Sequence, residues 1–73
     1  MYNPSPATIA GLRRQYPKGT RVELVDSSDR YTKLQPGDQG TVFMVDDIGT
    51  IHVDWDCGSK LGIAYGADHA RKI

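Results

Sequence analysis

Cysteine and long apolar runs are scarce in this chain. Cys57 is the only cysteine among 73 residues, so an internal disulfide is impossible and a reducing, cytoplasmic location is expected. No apolar run is long enough for a signal peptide or a membrane span. A domain of this length buries only about 60% of its unfolded surface. We therefore expect one small domain with a thin margin of stability.

A net charge of either sign is also lacking. Nine basic and nine acidic residues cancel, which removes the electrostatic reason for tight, non-specific binding to nucleic acid. The charges are nevertheless uneven, because residues 1–36 carry six basic against three acidic residues and residues 37–73 carry three against six. Two interpretations are open. Either the charges interleave on folding, or an acidic face meets a basic partner.

The first element that the sequence predicts is a short helix over residues 6–16. Ser5 is a typical N-cap, and the proline after it costs nothing at the first helical position. Apolar residues then recur at spacings of three and four until a second proline ends the segment. So short a helix must dock on the rest of the domain to persist. The apolar stripe consists of Ile9, Leu12 and Tyr16.

Short alternating strands separated by glycine turns fill the rest of the chain. Regularly spaced strands of this kind are typical of a sandwich or a barrel. The predicted fold class is mainly all-β, with a flexible N-terminus at 1–5, the helix packed on the barrel, and a five-stranded SH3-like barrel over 18–73. The predicted strands are 20–26, 41–45, 50–56, 61–65 and 70–73. The predicted core consists of Val22, Leu24, Val42, Ile51, Val53 and Trp55.

The second predicted strand is apolar on both of its faces. Val42 and Met44 share one face, while Phe43 and Val45 share the other. Two explanations are available: the helix covers the outer face, or a β-bulge shifts the alternation. We expect the helix cover, because the apolar stripe of the helix then packs against Phe43 or Val45.

Four motifs of the chain carry a resemblance. They are Lys18-Gly-Thr-Arg-Val, Gly37-Asp-Gln-Gly-Thr-Val, Gly49-Thr-Ile-His-Val-Asp-Trp-Asp and Gly58-Ser. Together they resemble a family of short bacterial and phage proteins that is classed as a domain of unknown function. More distantly, they are similar to the Mind bomb/HERC2 SH3-like domain and to KOW-type barrels. These resemblances imply an SH3-like fold, with protein contact in the first case and RNA contact in the second.

Candidate groups for catalysis or metal binding are few. His52, Asp54 and Asp56 alternate on one strand face, about 6.5 Å apart. Zinc sites, however, draw Cys and His from several segments, and Cys57 has no basic neighbour in sequence that would activate its thiol. We therefore predict no catalytic residue, no metal and no cofactor, in a protein that is not an enzyme.

Aromatic residues carry the predicted binding surface, because SH3-like barrels use aromatics from a long loop and later strands to line a peptide groove. The predicted partner-binding residues are Tyr31, Trp55, Tyr65, Asp54 and Asp56. The two aspartates belong to an acidic row, completed by Asp46 and Asp47, that would steer a basic partner. Two simpler interpretations stay open, in which Trp55 is a core residue and Tyr31 closes one end of the barrel.

The function expected on these grounds is a non-catalytic protein-interaction module, monomeric or weakly self-associating, with a protein partner that the sequence does not identify. The family resemblance adds a phage or mobile-element accessory role, host-directed or anti-defence. The alternative is a KOW-like nucleic-acid-binding protein. The residues that would contact nucleic acid in that case are Arg13, Arg14, Lys18, Arg21, Arg30 and Lys33.

Overall fold

A computed structural model describes residues 4–26, 34–65 and 68–73 of the chain. Its elements are helix α1 (Pro6–Gln15) and strands β1 (Arg21–Asp26), β2 (Gln39–Val45), β3 (Ile51–Trp55) and β4 (His69–Lys72). The four strands form one antiparallel sheet in the order β3-β2-β1-β4. Within the described ranges, no helix is long and apolar enough to cross a membrane.

Helix α1 forms where the sequence predicts it. The Ser5 hydroxyl accepts a hydrogen bond from the Thr8 amide at 3.2 Å, and Pro6 occupies the first turn. This cap satisfies one of the amides that a helix start leaves without a partner. At the other end, the Tyr16 amide donates to the Leu12 carbonyl at 2.8 Å, and two arginines of the last turn offset the helix dipole.

The five-stranded barrel expected from the sequence does not form in the described residues, which show an open four-stranded sheet. The predicted last strand is present as β4. The predicted fourth strand is reduced to one bridge, in which Ile51 and Ile63 exchange backbone hydrogen bonds of 3.0 and 2.8 Å. The chain then turns, and the Asp68 amide donates to the Ala64 carbonyl at 3.0 Å.

A β-bulge resolves the two-sided pattern of β2, which was the second of the two explanations; of the two residues expected under the helix, Phe43 is exposed and Val45 is buried. The register with β3 shifts between Val42 and Met44. The extra residue turns both Phe43 and Met44 outward, at 37% and 46% exposure, and returns Val45 to the core. Leu12 and Tyr16 pack against the core cluster, to which Val45 belongs, and Arg13 Nε donates to the Val45 carbonyl at 3.3 Å.

The predicted core is confirmed: all six of its members are buried in one cluster. The cluster also contains Leu34, Val45 and Ile63. Four partly buried residues pack against it: Leu12, Tyr16, Leu61 and Ala70. Gly40 allows β2 and β3 to approach closely, since a Cβ there would lie 2.6 Å from Val53 Cγ1 and 2.8 Å from the Asp54 carbonyl oxygen. The buried face of the sheet is the face against which α1 and the chain around Ile63 pack.

Candidate functional site: an apolar groove beside strand β4

The charged residues of the two halves pair with each other. Arg21 donates two hydrogen bonds to the Asp56 carboxylate, at 2.8 and 2.6 Å, and a third to the Thr41 hydroxyl at 3.0 Å. These hydrogen bonds raise the pKa of Arg21 and lower the pKa of Asp56. A bidentate pair of this geometry is the most specific form of ion pair.

The same interleaving holds elsewhere on the surface. Arg13 contacts Asp47 at 2.8 Å, and Lys60 pairs with Asp54. Two further pairs join β4 to β1: Arg71 with Glu23 at 3.1 Å, and His69 with Asp26 at 2.9 Å. The interleaved interpretation of the charge asymmetry is therefore confirmed, and the predicted acidic row lies among cations. A partner-binding role for Asp54 and Asp56 stays a prediction.

Asp46 organises the loop between β2 and β3. One carboxylate oxygen accepts hydrogen bonds from the Ile48 and Thr50 amides at 3.1 and 2.9 Å, and the other lies 2.8 Å from His52 Nε2. Burial acts to raise the pKa of Asp46, but the hydrogen bonds from His52 and the two amides outweigh it. The pKa of Asp46 therefore lies below its usual value, and the carboxylate is a structural acceptor for the loop.

An apolar groove of about 510 Å³ opens where a closed barrel would join its last strands. The chain around Ile63 forms one side, β4 forms the other, and α1 contributes the end wall. The lining residues are Leu12, Tyr16, Gly49, Ile51, Ile63, Tyr65, Asp68, His69 and Ala70. Concave, mainly apolar sites of this size are where small domains bind ligands or side chains of a partner.

Gly49 shapes the floor of the groove. It has a φ of +86°, which side-chain-bearing residues rarely adopt. A Cβ at this position would lie 2.7 Å from Pro4 Cγ and 3.6 Å from a Leu12 methyl group. The Tyr65 Cβ is only slightly farther, at 3.7 Å. The missing side chain therefore lets the N-terminal segment, α1 and the Tyr65 region meet at one point.

The predicted aromatic residues do not share one surface. Tyr65 lines the groove and is 38% exposed. Trp55 is 3% exposed, and its indole N–H donates to the Leu61 carbonyl at 2.8 Å, which is the environment of a core residue. Tyr31 lies outside the described residues. Sequence reasoning missed Leu12 and Tyr16 as groove residues, although their helical spacing marked them as one apolar stripe.

The predicted basic residues are dispersed. Arg13 and Arg21 are held by carboxylates, and Arg30 and Lys33 lie outside the described residues. Arg14 and Lys18 are exposed and form no ion pair with any residue in the described ranges. They flank Tyr16 in sequence, and the Lys72 ammonium lies 5.7 Å from the Tyr16 ring centroid.

A second exposed apolar surface lies on the opposite face of the sheet. The bulge presents Phe43 and Met44 there, and the Phe43 ring lies 5.7 Å from the His52 ring. Within 4–26, 34–65 and 68–73, no three His, Cys, Asp or Glu side chains are grouped closely enough to hold a metal ion.

These features define a small, mainly β domain with one short helix and an apolar groove beside its last strand. The chain belongs to the family described as a domain of unknown function (DUF4314), whose model matches residues 5–73. The resemblance to a short family of this kind is confirmed at that level. No curated protein and no solved structure matches the chain.

Proposed function

We propose that this protein is a non-catalytic protein-interaction module that binds a segment of a partner in the groove. The observation that carries the proposal is the groove itself, about 510 Å³ and lined mainly by aliphatic and aromatic side chains. Its volume falls within the roughly 300–1,000 Å³ of sites that hold a ligand or a large side chain. In this proposal the fold is an SH3-like barrel whose closure is incomplete at the groove.

Two tyrosines suit the groove to binding. Tyr16 and Tyr65 both line it, the first at the C-cap of α1 and the second in the turn before β4. Tyrosine offers a large contact area for the loss of only two side-chain torsions, which is why it is common in binding surfaces. An apolar or aromatic side chain of a partner would therefore find aromatic contacts on two sides.

The polar groups of the groove support binding rather than chemistry. Asp68 is buried and accepts a hydrogen bond from the Ala64 amide at 3.0 Å, which holds the turn beside the groove. His69 lies against Asp26 at 2.9 Å on an exposed part of the sheet. Catalysis would need a nucleophile or an acid–base pair converging on one point of the groove. Asp68 and His69 are instead hydrogen-bonded to other residues of the domain.

The test is selection of a phage-displayed library of short random peptides on the wild-type chain, followed by affinity measurement with the selected peptides. Tyr65→Ala should weaken their binding at least about tenfold, since aromatic residues dominate such interfaces. Phe43→Ala is the matched control, because Phe43 is exposed to 37% and Tyr65 to 38%, on opposite faces of the sheet.

The outcomes of this experiment separate the possibilities. Loss of affinity in Phe43→Ala with full affinity in Tyr65→Ala would move the binding surface to the outer face of the sheet. A library that yields no binder, together with salt-sensitive binding of a single-stranded RNA that Arg14→Ala weakens, would favour the nucleic-acid alternative. Thermal melts of both variants confirm that they are folded.

A further inference from the structure

Strand β4 leaves one row of backbone groups without partners. The Ile73 amide donates to the Arg21 carbonyl at 3.1 Å, and Arg71 lies opposite Glu23 in the register. Because hydrogen-bonded residues alternate along an antiparallel strand, the odd-numbered residues face β1 and the backbone groups of Ala70 and Lys72 face away from it. Neither residue makes a further backbone hydrogen bond to any part of the chain that the structure describes.

Among residues 4–26, 34–65 and 68–73, none pairs with the outer edge of β4, whereas the edge of β3 is covered. On β3, the Trp55 amide donates to the Ser59 carbonyl and Ile51 is bridged to Ile63, so the following chain covers that edge. Helix α1 does not cover β4, since no Cα atom of the helix comes within 8 Å of a Cα atom of the strand. An edge with free donors and acceptors is a template for another strand.

The side chains at this edge specify what a new strand should carry. Ala70 lines the groove, and Lys72 lies over the Tyr16 ring. Lys72 has no carboxylate partner among the described residues, whereas Arg71, on the other face of the strand, and His69, at its start, are paired with Glu23 and Asp26. Cross-strand neighbours interact most strongly on the same face, so an acidic residue fits opposite Lys72 and an apolar residue fits opposite Ala70.

We propose that the partner segment adds to the sheet as an antiparallel strand along β4, with an acidic residue opposite Lys72 and an apolar or aromatic residue two positions away, in the groove opposite Ala70. This inference rests on the proposed function and names its mode: β-strand addition, in which the main chain supplies hydrogen bonds and alternate side chains supply specificity. A second copy of the chain fits less well, because pairing centred on Arg71 would place two arginines opposite each other.

The experiment supplies the strand in the same chain, so it needs no identified partner. A tail is appended after Ile73 as one further strand residue, an Asn-Gly turn and a returning strand, so that Ala70 and Lys72 fall at hydrogen-bonded positions of the new hairpin. The returning strand carries glutamate opposite Lys72, valine opposite Ala70 and threonine between them. Amide hydrogen exchange of Ala70 and Lys72 is then measured by NMR. We expect exchange to slow at least about tenfold at both amides, while the Arg71 amide, which faces β1, serves as the internal reference.

Two control tails keep the inference falsifiable. A tail with proline at the pairing positions should give no protection, because proline lacks the donor. A tail with lysine in place of glutamate should protect less, and the difference should shrink at high salt. If the amides of Ala70 and Lys72 exchange equally fast with and without the glutamate tail, strand addition is wrong. The groove as a binding site is tested separately, by the loss of peptide affinity in Tyr65→Ala. A concentration-dependent dimer of the unmodified chain that protects the same two amides would show that the occupant is a second copy.

Discussion

The tryptophan at the end of β3 offers the sharpest test of the packing described above. Trp55 is 3% exposed, lies opposite Gly40 in the register, and donates its indole N–H to the Leu61 carbonyl at 2.8 Å. Replacing it with alanine removes the largest side chain of the core cluster and one hydrogen bond together. The cavity cannot collapse easily, because the close β2–β3 approach at Gly40 already brings backbone against backbone.

The magnitude follows from the size of the change. Truncating a buried tryptophan to alanine costs about 3–5 kcal/mol in free energy of unfolding. A chain of 73 residues is expected to have roughly 4–11 kcal/mol in total, at about 0.05–0.15 kcal/mol per residue. Trp55→Ala should therefore remove at least about a quarter of the stability, and most or all of it if the wild type lies at the lower end of this range. Trp55→Phe keeps an aromatic ring but leaves the Leu61 carbonyl without its donor, so we expect a smaller loss of about 1–3 kcal/mol.

The assay is urea unfolding followed by far-UV circular dichroism. Fluorescence is unsuitable, since Trp55 is the only tryptophan and both variants lack it. With a slope of about 1 kcal/mol/M for a small domain, the midpoint of Trp55→Ala should fall by several molar, or the variant should be unfolded without urea. A midpoint for Trp55→Ala within about 0.3 M of wild type, with an unchanged slope, would show that burial of Trp55 contributes little to the stability of the domain.

Three further substitutions test separate features. Gly40→Ala should destabilise by about 1–3 kcal/mol, because its Cβ would meet the Asp54 carbonyl oxygen at 2.8 Å; wild-type stability in urea would rule out the close approach. Gly11→Ala should instead stabilise by about 0.5–1 kcal/mol, since the nearest atom to its Cβ is 3.9 Å away and alanine favours the helix; a loss of stability would contradict this. Asp46 has a lowered pKa, so its ionised form stabilises the fold in full above its ordinary value of 3.8, and this contribution is lost as the pH falls through the lower folded-state value. The difference in free energy of unfolding between wild type and Asp46→Asn should therefore be larger at neutral pH than in acid. If their urea midpoints differ by the same amount at both pH values, the ionised Asp46 carboxylate does not stabilise the loop.

Local signals in the sequence were sufficient for α1, for four of the five predicted strands and for the core. Ser5 followed by proline specifies the start of α1, because a hydroxyl cap and a fixed φ act within one turn. The strict alternation of Ile51, Val53 and Trp55 specifies which face of β3 is buried. Such features depend on residues a few positions apart, so a single sequence is enough to predict them.

The groove could not be predicted in this way. It depends on where α1 docks, on the single bridge between Ile51 and Ile63, and on the open edge of β4, all of which involve residues far apart in the chain. The predicted aromatic surface joined Trp55 to Tyr65, whereas packing buries the first and leaves the second at the groove.

The sequence by itself determined the class of this protein: a small, mainly β domain with a capped helix, one apolar core and a balanced set of charges. Periodicity, caps and turn residues are local, and they carry that much information. Only the tertiary structure decided that the bulge in β2 turns Phe43 outward, that Arg21 and Asp56 neutralise each other, and that a groove opens beside β4. Each of these outcomes depends on which distant residues meet, and that is settled by the packing of the whole chain.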